Sequence, residues 1–168
     1  MSTSIREAEF GDVVSILDLV KQCIEGMRGI GIEQWDELYP DRQTLMADIA
    51  ARTAFVAIHA ERAVGVIVIN EIQEHEYASV LWQHSGRTAV IHRLAVAPPW
   101  EGHGIGRALM RFAERRASAL GYDSIRLDAY CGNPRALRFY ARSGYSRVGQ
   151  VRFRKGHFDC FEKLLRAG

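Results

Sequence analysis

A chain of 168 residues that is 48% hydrophobic and 25% charged has the length and apolar content to bury a real core. Its formal net charge of +2 is too small to argue for a nucleic-acid partner, and no apolar run approaches the ~20 residues that cross a bilayer. The opening MSTSIREAEF has no apolar signal core, and the three scattered cysteines, Cys23, Cys131 and Cys160, form neither a disulfide framework nor a zinc spacing. These features predict one domain over residues 1–168, cytoplasmic and reduced, with no metal and no membrane partner.

Ser4–Ala8 reads as a short edge strand, and Asp12 as the N-cap of the helix that follows. Ile16, Leu17, Val20, Cys23, Ile24 and Met27 recur at helical spacing, so one face of that helix is buried. Gly29 and Gly31 end it. The irregular segment Gly31–Asp41 then carries two large aromatics, Trp35 and Tyr39. Trp35 can plug the core or wall a substrate, since binding residues concentrate on loops. Asp41 caps a second helix running to about Ala51.

Ala54–His59 and Ala63–Asn70 are two strands joined at Glu61-Arg62, without the usual turn glycine. Glu71–Tyr77 is acidic and polar. It is either a solvated loop or a rim that attracts cationic substrates, with Glu71 the first carboxylate on it. Val80-Leu81-Trp82 can extend a strand. Thr88–Val96 is apolar on both faces and should be central. Alternation puts Val90, His92, Leu94 and Val96 on one face and Ile91, Arg93 and Ala95 on the other.

A helix from about Gly104 to Leu120 follows, with Ile105, Leu109, Phe112, Ala113 and Leu120 on its buried face and Gly121 at its end. Ser124–Ala129 is a strand. Asn133-Pro134 starts another helix, an N-cap followed by Pro at the first helical position, with Leu137, Tyr140 and Ala141 inward and Gly144 ending it. Tyr145–Phe153 and Phe158–Leu165, joined across Lys155-Gly156, close the chain as a hairpin. The order is β-α-α-β-β-β-α-β-α-β-β, which implies an α/β (α+β) fold with a mixed sheet and helices on both faces.

The chemistry concentrates in Ile91–Met110. A strand, a Pro-Pro-Trp break and the glycines Gly102, Gly104 and Gly106 lead into a helix. A helix N-terminus has amides without intrahelical partners and favours negative charge, and glycines let a ligand approach the backbone. A P-loop would need Gly-Lys-Ser/Thr, and here Gly106 is followed by Arg107-Ala108. A dinucleotide fingerprint usually comes early, in a tight βαβ unit, whereas this strand follows three others.

The surroundings narrow the choice. Leu94-Ala95-Val96-x-Pro98 followed by Glu101-Gly-x-Gly104-Ile-Gly106-x-x-Leu109 resembles the acetyl-CoA-binding motif of the Gcn5-related N-acetyltransferase (GNAT) superfamily. Asn133-Pro-Arg-Ala136-Leu-Arg-Phe-Tyr140, then Ser143-Gly144-Tyr145, resembles that family's second motif. The two cover Thr88 to Gly149, and the N-terminal half matches only in its order of elements.

The resemblance implies a mostly antiparallel sheet of about seven strands, splayed between the fourth and fifth. It implies acetyl-CoA as co-substrate, with its pantetheine arm in that splay against the backbone of Leu94, Ala95 and Val96. Amides from Gly102, His103, Gly104, Ile105, Gly106 and Arg107 would hold the pyrophosphate. Asn133, Ala136, Phe139 and Tyr140 would line the arm. Glu101 departs from the family's usual Gln or Arg and sets a carboxylate beside a pyrophosphate. Homodimers are common in this family.

Attack of an amine on the thioester would use Tyr140 as the acid for the leaving thiolate, and the amide of Val96 at the oxyanion. The amine, from a small molecule or an exposed peptide, must first lose a proton. His92 matches one strand histidine of the arylalkylamine acetyltransferases, while the companion position here is Val90. His92 is therefore a base or a hydrogen-bonded core residue. His84, His103, Glu71 and Glu74 are other bases. Cys131 allows a covalent acetyl-cysteine route, against which direct transfer in a ternary complex is preferred because no partner lowers its pKa. A non-catalytic acyl-CoA sensor is the alternative function. The arginine row Arg107, Arg111 and Arg115 and the basic stretch Arg152–Lys155 are the features a nucleic acid would use, against the near-neutral net charge.

Overall fold

The computed structural model describes residues 2–36 and 39–165. Its elements in chain order are β1 (Ser4–Glu7), α1 (Val13–Gly29), α2 (Arg42–Ala50), β2 (Ala54–His59), β3 (Arg62–Asn70), β4 (Thr88–Val96), α3 (Ile105–Ala119), β5 (Ser124–Tyr130), α4 (Pro134–Arg142), β6 (Ser146–Phe153) and β7 (Gly156–Leu164). Short 3-10 turns occupy Phe10–Asp12, His75–Ser79 and Pro98–Trp100. The strands form a mixed seven-stranded sheet in the order β1-β2-β3-β4-β5-β7-β6. β4 and β5 are parallel, and their ladder holds Thr88/Ser124, Ala89/Ile125 and Val90/Arg126 and stops there, although the strands run on to Val96 and Tyr130. This is the expected splay.

The chain packs as two compact units. One holds residues up to Ile69 with His92–Ala113, and the other holds Asn70–Ile91 with Glu114 onward. In the first unit, Val13, Ile16, Leu19, Val20, Cys23 and Ile24 form the buried stripe of α1. They pack with Leu45 and Ile49 of α2 against Ala54, Val56, Val66 and Val68. The alternate residues of the same strands meet α3. Phe55 lies 4.9 Å from Phe112 between ring centroids, and a Cβ on Gly65 would come within 2.9 Å of Ile105 and Leu109. Helices therefore cover both faces of β2 and β3, because both sets of alternating positions are apolar.

In the second unit, Tyr77, Val80, Val90, Val151, Phe158 and Cys160 make a separate core. Residues 71–87, which link β3 to β4, are strapped to the sheet by a buried ion pair. Arg126 Nε donates to Glu162 Oε1 at 3.3 Å, its Nη1 donates to Gln73 and its Nη2 to the His84 carbonyl, while Glu162 also accepts from the Gln83 amide at 2.7 Å. The guanidinium stacks 4.3 Å above the Trp82 ring. Val80-Leu81-Trp82 is therefore no strand. It is a strap, and Leu81 projects to solvent.

Several local expectations change. Asp12 does not cap α1. It closes a capping box with Glu9 one turn earlier, its Oδ2 accepting from the Glu9 amide at 2.8 Å, and Arg6 pairs with it. The β2–β3 turn is Ala60-Glu61, one residue earlier than read. Both residues are left-handed, at φ +46° and +65°, so the hairpin uses the right-twisting two-residue turn without glycine. The β6–β7 turn likewise falls one residue earlier, at Arg154-Lys155. Leu120, read as buried, is exposed because α3 ends at Ala119 and Tyr122 bonds back to the Ala117 carbonyl. Asp41 and Asn133 cap α2 and α4 as expected, accepting from the amides of Thr44 and Ala136. Residues 37 and 38 of the expected irregular segment lie outside the described residues.

Candidate active site

In the first unit, the break after β4 is built as the sequence implies. Pro98–Trp100 forms a 3-10 turn, Gly102 and Gly104 are left-handed at φ +77° and +81°, and α3 begins at Ile105. Ala108 donates to the Gly104 carbonyl at 2.9 Å, so the amides of Ile105, Gly106 and Arg107 precede the first intrahelical bond. A Cβ on Gly102 or Gly104 would meet nothing within 4 Å, so glycine is needed there for backbone conformation and not for internal space. His103 and Arg107 are exposed, and His103 Nδ1 lies 3.0 Å from the Glu101 carbonyl oxygen. Glu101 is also exposed, where water screens its charge.

β4 is interrupted at Arg93, which is left-handed at φ +52° within the strand. A non-glycine residue there is strained and re-aims the chain as a bulge does. The strict alternation read from the sequence does not carry through this point. Half-buried His92 precedes the break, half-buried Leu94 and Val96 follow it, and Ala95 joins the α1–α2 core. The Val96 carbonyl accepts from Cys23 Sγ at 3.2 Å, and burial pushes that thiol up to about 12.

Sequence reasoning missed the partner set of Arg93. Its Nε donates to Asp48 Oδ2 at 2.7 Å, its Nη2 to Oδ1 at 2.6 Å and its Nη1 to Tyr39 Oη at 2.8 Å. Tyr39 is thereby anchored to β4. Trp35 is 9% exposed and packs in the core with Ile16, Val20 and Leu45. The cavity it shares with Arg93 and Val66 has a volume of about 10 Å³, room for about one water. No local sequence signal marks this pairing, because Asp48 and Arg93 lie 45 residues apart.

In the second unit, Asn133 Oδ1 caps α4, and half-buried Ala136, Phe139 and Tyr140 follow on that helix. The Tyr140 ring packs against Phe139, Tyr145 and Phe161 at 5.3, 6.3 and 6.0 Å between centroids. Its hydroxyl has no hydrogen-bond partner among the described residues, and no buried side-chain N or O among them is without one. The hydroxyl therefore keeps at least a small exposed surface. Burial of the ring and the charge of Asp128 push the phenol up, which keeps it a proton donor.

Glu71 is held by the second unit itself. Its Oε1 accepts from Tyr122 at 2.6 Å and from Arg87 at 3.0 Å, and these bonds lower its pKa. Cys131 Sγ lies 3.5 Å from Asp159 Oδ1, and burial and that carboxylate raise the thiol, the opposite of what a nucleophilic thiolate needs. Among the described residues no group of three or more His, Cys, Asp or Glu is placed to hold a metal ion, and no helix is long and apolar enough to cross a membrane.

The fold and the two motifs place the chain in a class of transferases. It belongs to the acetyltransferase (GNAT) family, whose sequence model matches residues 16–145. It is 28% identical over 164 residues to YesJ of Bacillus subtilis, described as an uncharacterised N-acetyltransferase, covering 95% of this chain and 89% of that one. A GNAT-family acetyltransferase of Streptococcus agalactiae superimposes with a TM-score of 0.85 at 20% identity, over 98% of this chain and 96% of that one. The PaiA N-acetyltransferase of Thermoplasma acidophilum, solved with coenzyme A, gives 0.77 at 19% identity over 98% and 99%. The last two likenesses are of fold.

Proposed function

We propose that this acetyltransferase moves the acetyl group of acetyl-CoA to a primary amine of a small molecule or an exposed peptide, by direct attack. The observation that carries the reading is the family match over residues 16–145, together with the intact loop Gly102–Arg107 and the presence of Tyr140 on α4. In the first unit, the amides of Gly102–Arg107 hold the pyrophosphate and the backbone of Leu94, Ala95 and Val96 holds the pantetheine arm. In the second, Asn133, Ala136 and Phe139 belong to the cofactor-binding set, and Tyr140 gives a proton to the departing thiolate. In this reading residues 1–168 are one acyltransferase domain. Three free cysteines and the co-substrate fit a cytoplasmic setting.

Incubating the protein with acetyl-CoA and a panel of primary amines, and following thiol release, tests this. Release that depends on amine supports it. Calorimetric binding of acetyl-CoA without turnover on any amine identifies an acyl-CoA sensor instead.

A further inference from the structure

In the first unit, the end of β4 is held in shape by side chains of both N-terminal helices. Arg93 keeps a φ of +52° inside the strand. A residue with a Cβ is strained there, and such strain persists only where the surroundings enforce it. The enforcing contacts come from α2 and the segment before it. Asp48 on α2 takes the guanidinium bidentately at 2.6 and 2.7 Å, and Arg93 Nη1 donates to Tyr39 Oη at 2.8 Å. A bidentate fork fixes the plane of the guanidinium as well as its position. The cavity beside Arg93 holds about one water, so the side chain has no second place to lie.

α1 fixes the other end of the same stretch. Cys23 Sγ donates to the Val96 carbonyl at 3.2 Å, and the Ala97 amide donates to the Val64 carbonyl at 2.9 Å. A Cβ on Gly26 would lie 3.4 Å from Pro98, so α1 runs close against the turn that follows. Residues 93–96 are thus a short span, pinned at its first residue from α2 and at its last from α1. The ladder to β5 has already ended at Val90, so that ladder does not set the shape of the span.

We propose that Asp48 is a positioning residue for acetyl-CoA: it latches Arg93 in the left-handed conformation and so aims the backbone of Leu94–Val96 at the pantetheine arm. This assignment rests on the acetyl-transfer reading above. It requires no contact between Asp48 and the cofactor.

The physical reason is the direction of the peptide groups. An extended ligand that bonds to a strand needs N–H and C=O groups pointing at it in register. One left-handed residue turns every peptide group of the short span after it. Without the latch, Arg93 relaxes toward an extended conformation, and the amides and carbonyls of residues 94–96 rotate away from the ligand. Hydrogen bonds weaken steeply with angle, so a modest rotation is enough to lose them.

The test is calorimetry with two ligands, acetyl-CoA and 3′-phospho-ADP, the part of CoA that lacks the pantetheine arm. Arg93→Met/Asp48→Leu replaces the pair by apolar side chains and leaves no charge buried. It should bind acetyl-CoA about tenfold more weakly than the parent, and 3′-phospho-ADP within about twofold of it. Arg93→Gly/Asp48→Leu also lacks the latch, but glycine reaches φ +52° without strain. It should bind acetyl-CoA about threefold more tightly than the Met variant. A role in packing alone predicts the reverse order, because glycine leaves a cavity. Acetyl-CoA affinity within about twofold of the parent in the Met variant, equal weakening of both ligands, or weaker binding by the glycine variant overturns the assignment. If thermal melting shows that the double variants do not fold, Asp48→Asn is measured in the same way, and a parental ratio of the two affinities overturns it. A parent that binds no acetyl-CoA removes the acetyl-transfer reading, and this assignment with it.

Discussion

Arg93 and Asp48 form a bidentate pair, Nη2 to Oδ1 at 2.6 Å and Nε to Oδ2 at 2.7 Å, with side chains only 12% and 9% exposed. The pair joins the left-handed residue of β4 to α2, and through Arg93 Nη1 it also holds Tyr39. Removing one partner leaves the other charge buried. Asp48→Ala should therefore destabilise the protein by about 3 kcal/mol. The double variant Arg93→Met/Asp48→Leu should lose less than Asp48→Ala does. Urea denaturation of the variants checks both statements.

Asp128, whose Oδ2 accepts from Tyr77 Oη at 2.6 Å, makes a prediction about stability. Its folded pKa of about 6 lies above the ~3.9 of an unfolded aspartate. Between those values the folded state binds more protons, so this group's stabilising contribution is full below about pH 4 and is lost as pH rises through about 6. Asp128→Asn should remove that slope. The stability of the variant relative to the parent should rise between pH 4 and pH 7 in denaturant titrations.

Tyr140→Phe should reduce kcat by about 100-fold with little change in acetyl-CoA affinity, the expected loss of one general acid. The Tyr140 phenol is raised above its ordinary value, so it adds no alkaline limb to the parental profile through pH 9. Steady-state kinetics on the best amine of the panel checks this, and unchanged turnover removes Tyr140 from the chemistry.

Gly104→Ala places a Cβ on a residue at φ +81°. No atom obstructs it, so the cost is backbone strain alone, about 1–2 kcal/mol. If the loop turns to relieve that strain, the amides of Ile105–Arg107 shift as well. Acetyl-CoA affinity should then fall by about tenfold, equivalent to losing about one hydrogen bond's worth of free energy. Calorimetry and thermal melting separate the two effects.

The sequence by itself determined most of the elements and the glycine-rich turn, because both depend on neighbours along the chain. Apolar spacing marked α1 and the two-faced β4, the Asp41 and Asn133 caps marked helix starts, and the glycine pattern Gly102–Gly106 marked the turn. Tertiary structure alone decided which polar groups meet. Asp48 reaches Arg93 across 45 residues, Asp128 reaches Tyr77 across 51, and Arg126 binds Glu162 across 36. No local pattern records such pairings, because burial makes a polar group find a partner without specifying where along the chain that partner lies. The left-handed Arg93 is the same kind of case. Nothing in IHRLAV marks it, and its partners on α2 and at Tyr39 hold it within a strand that alternation alone would have drawn straight.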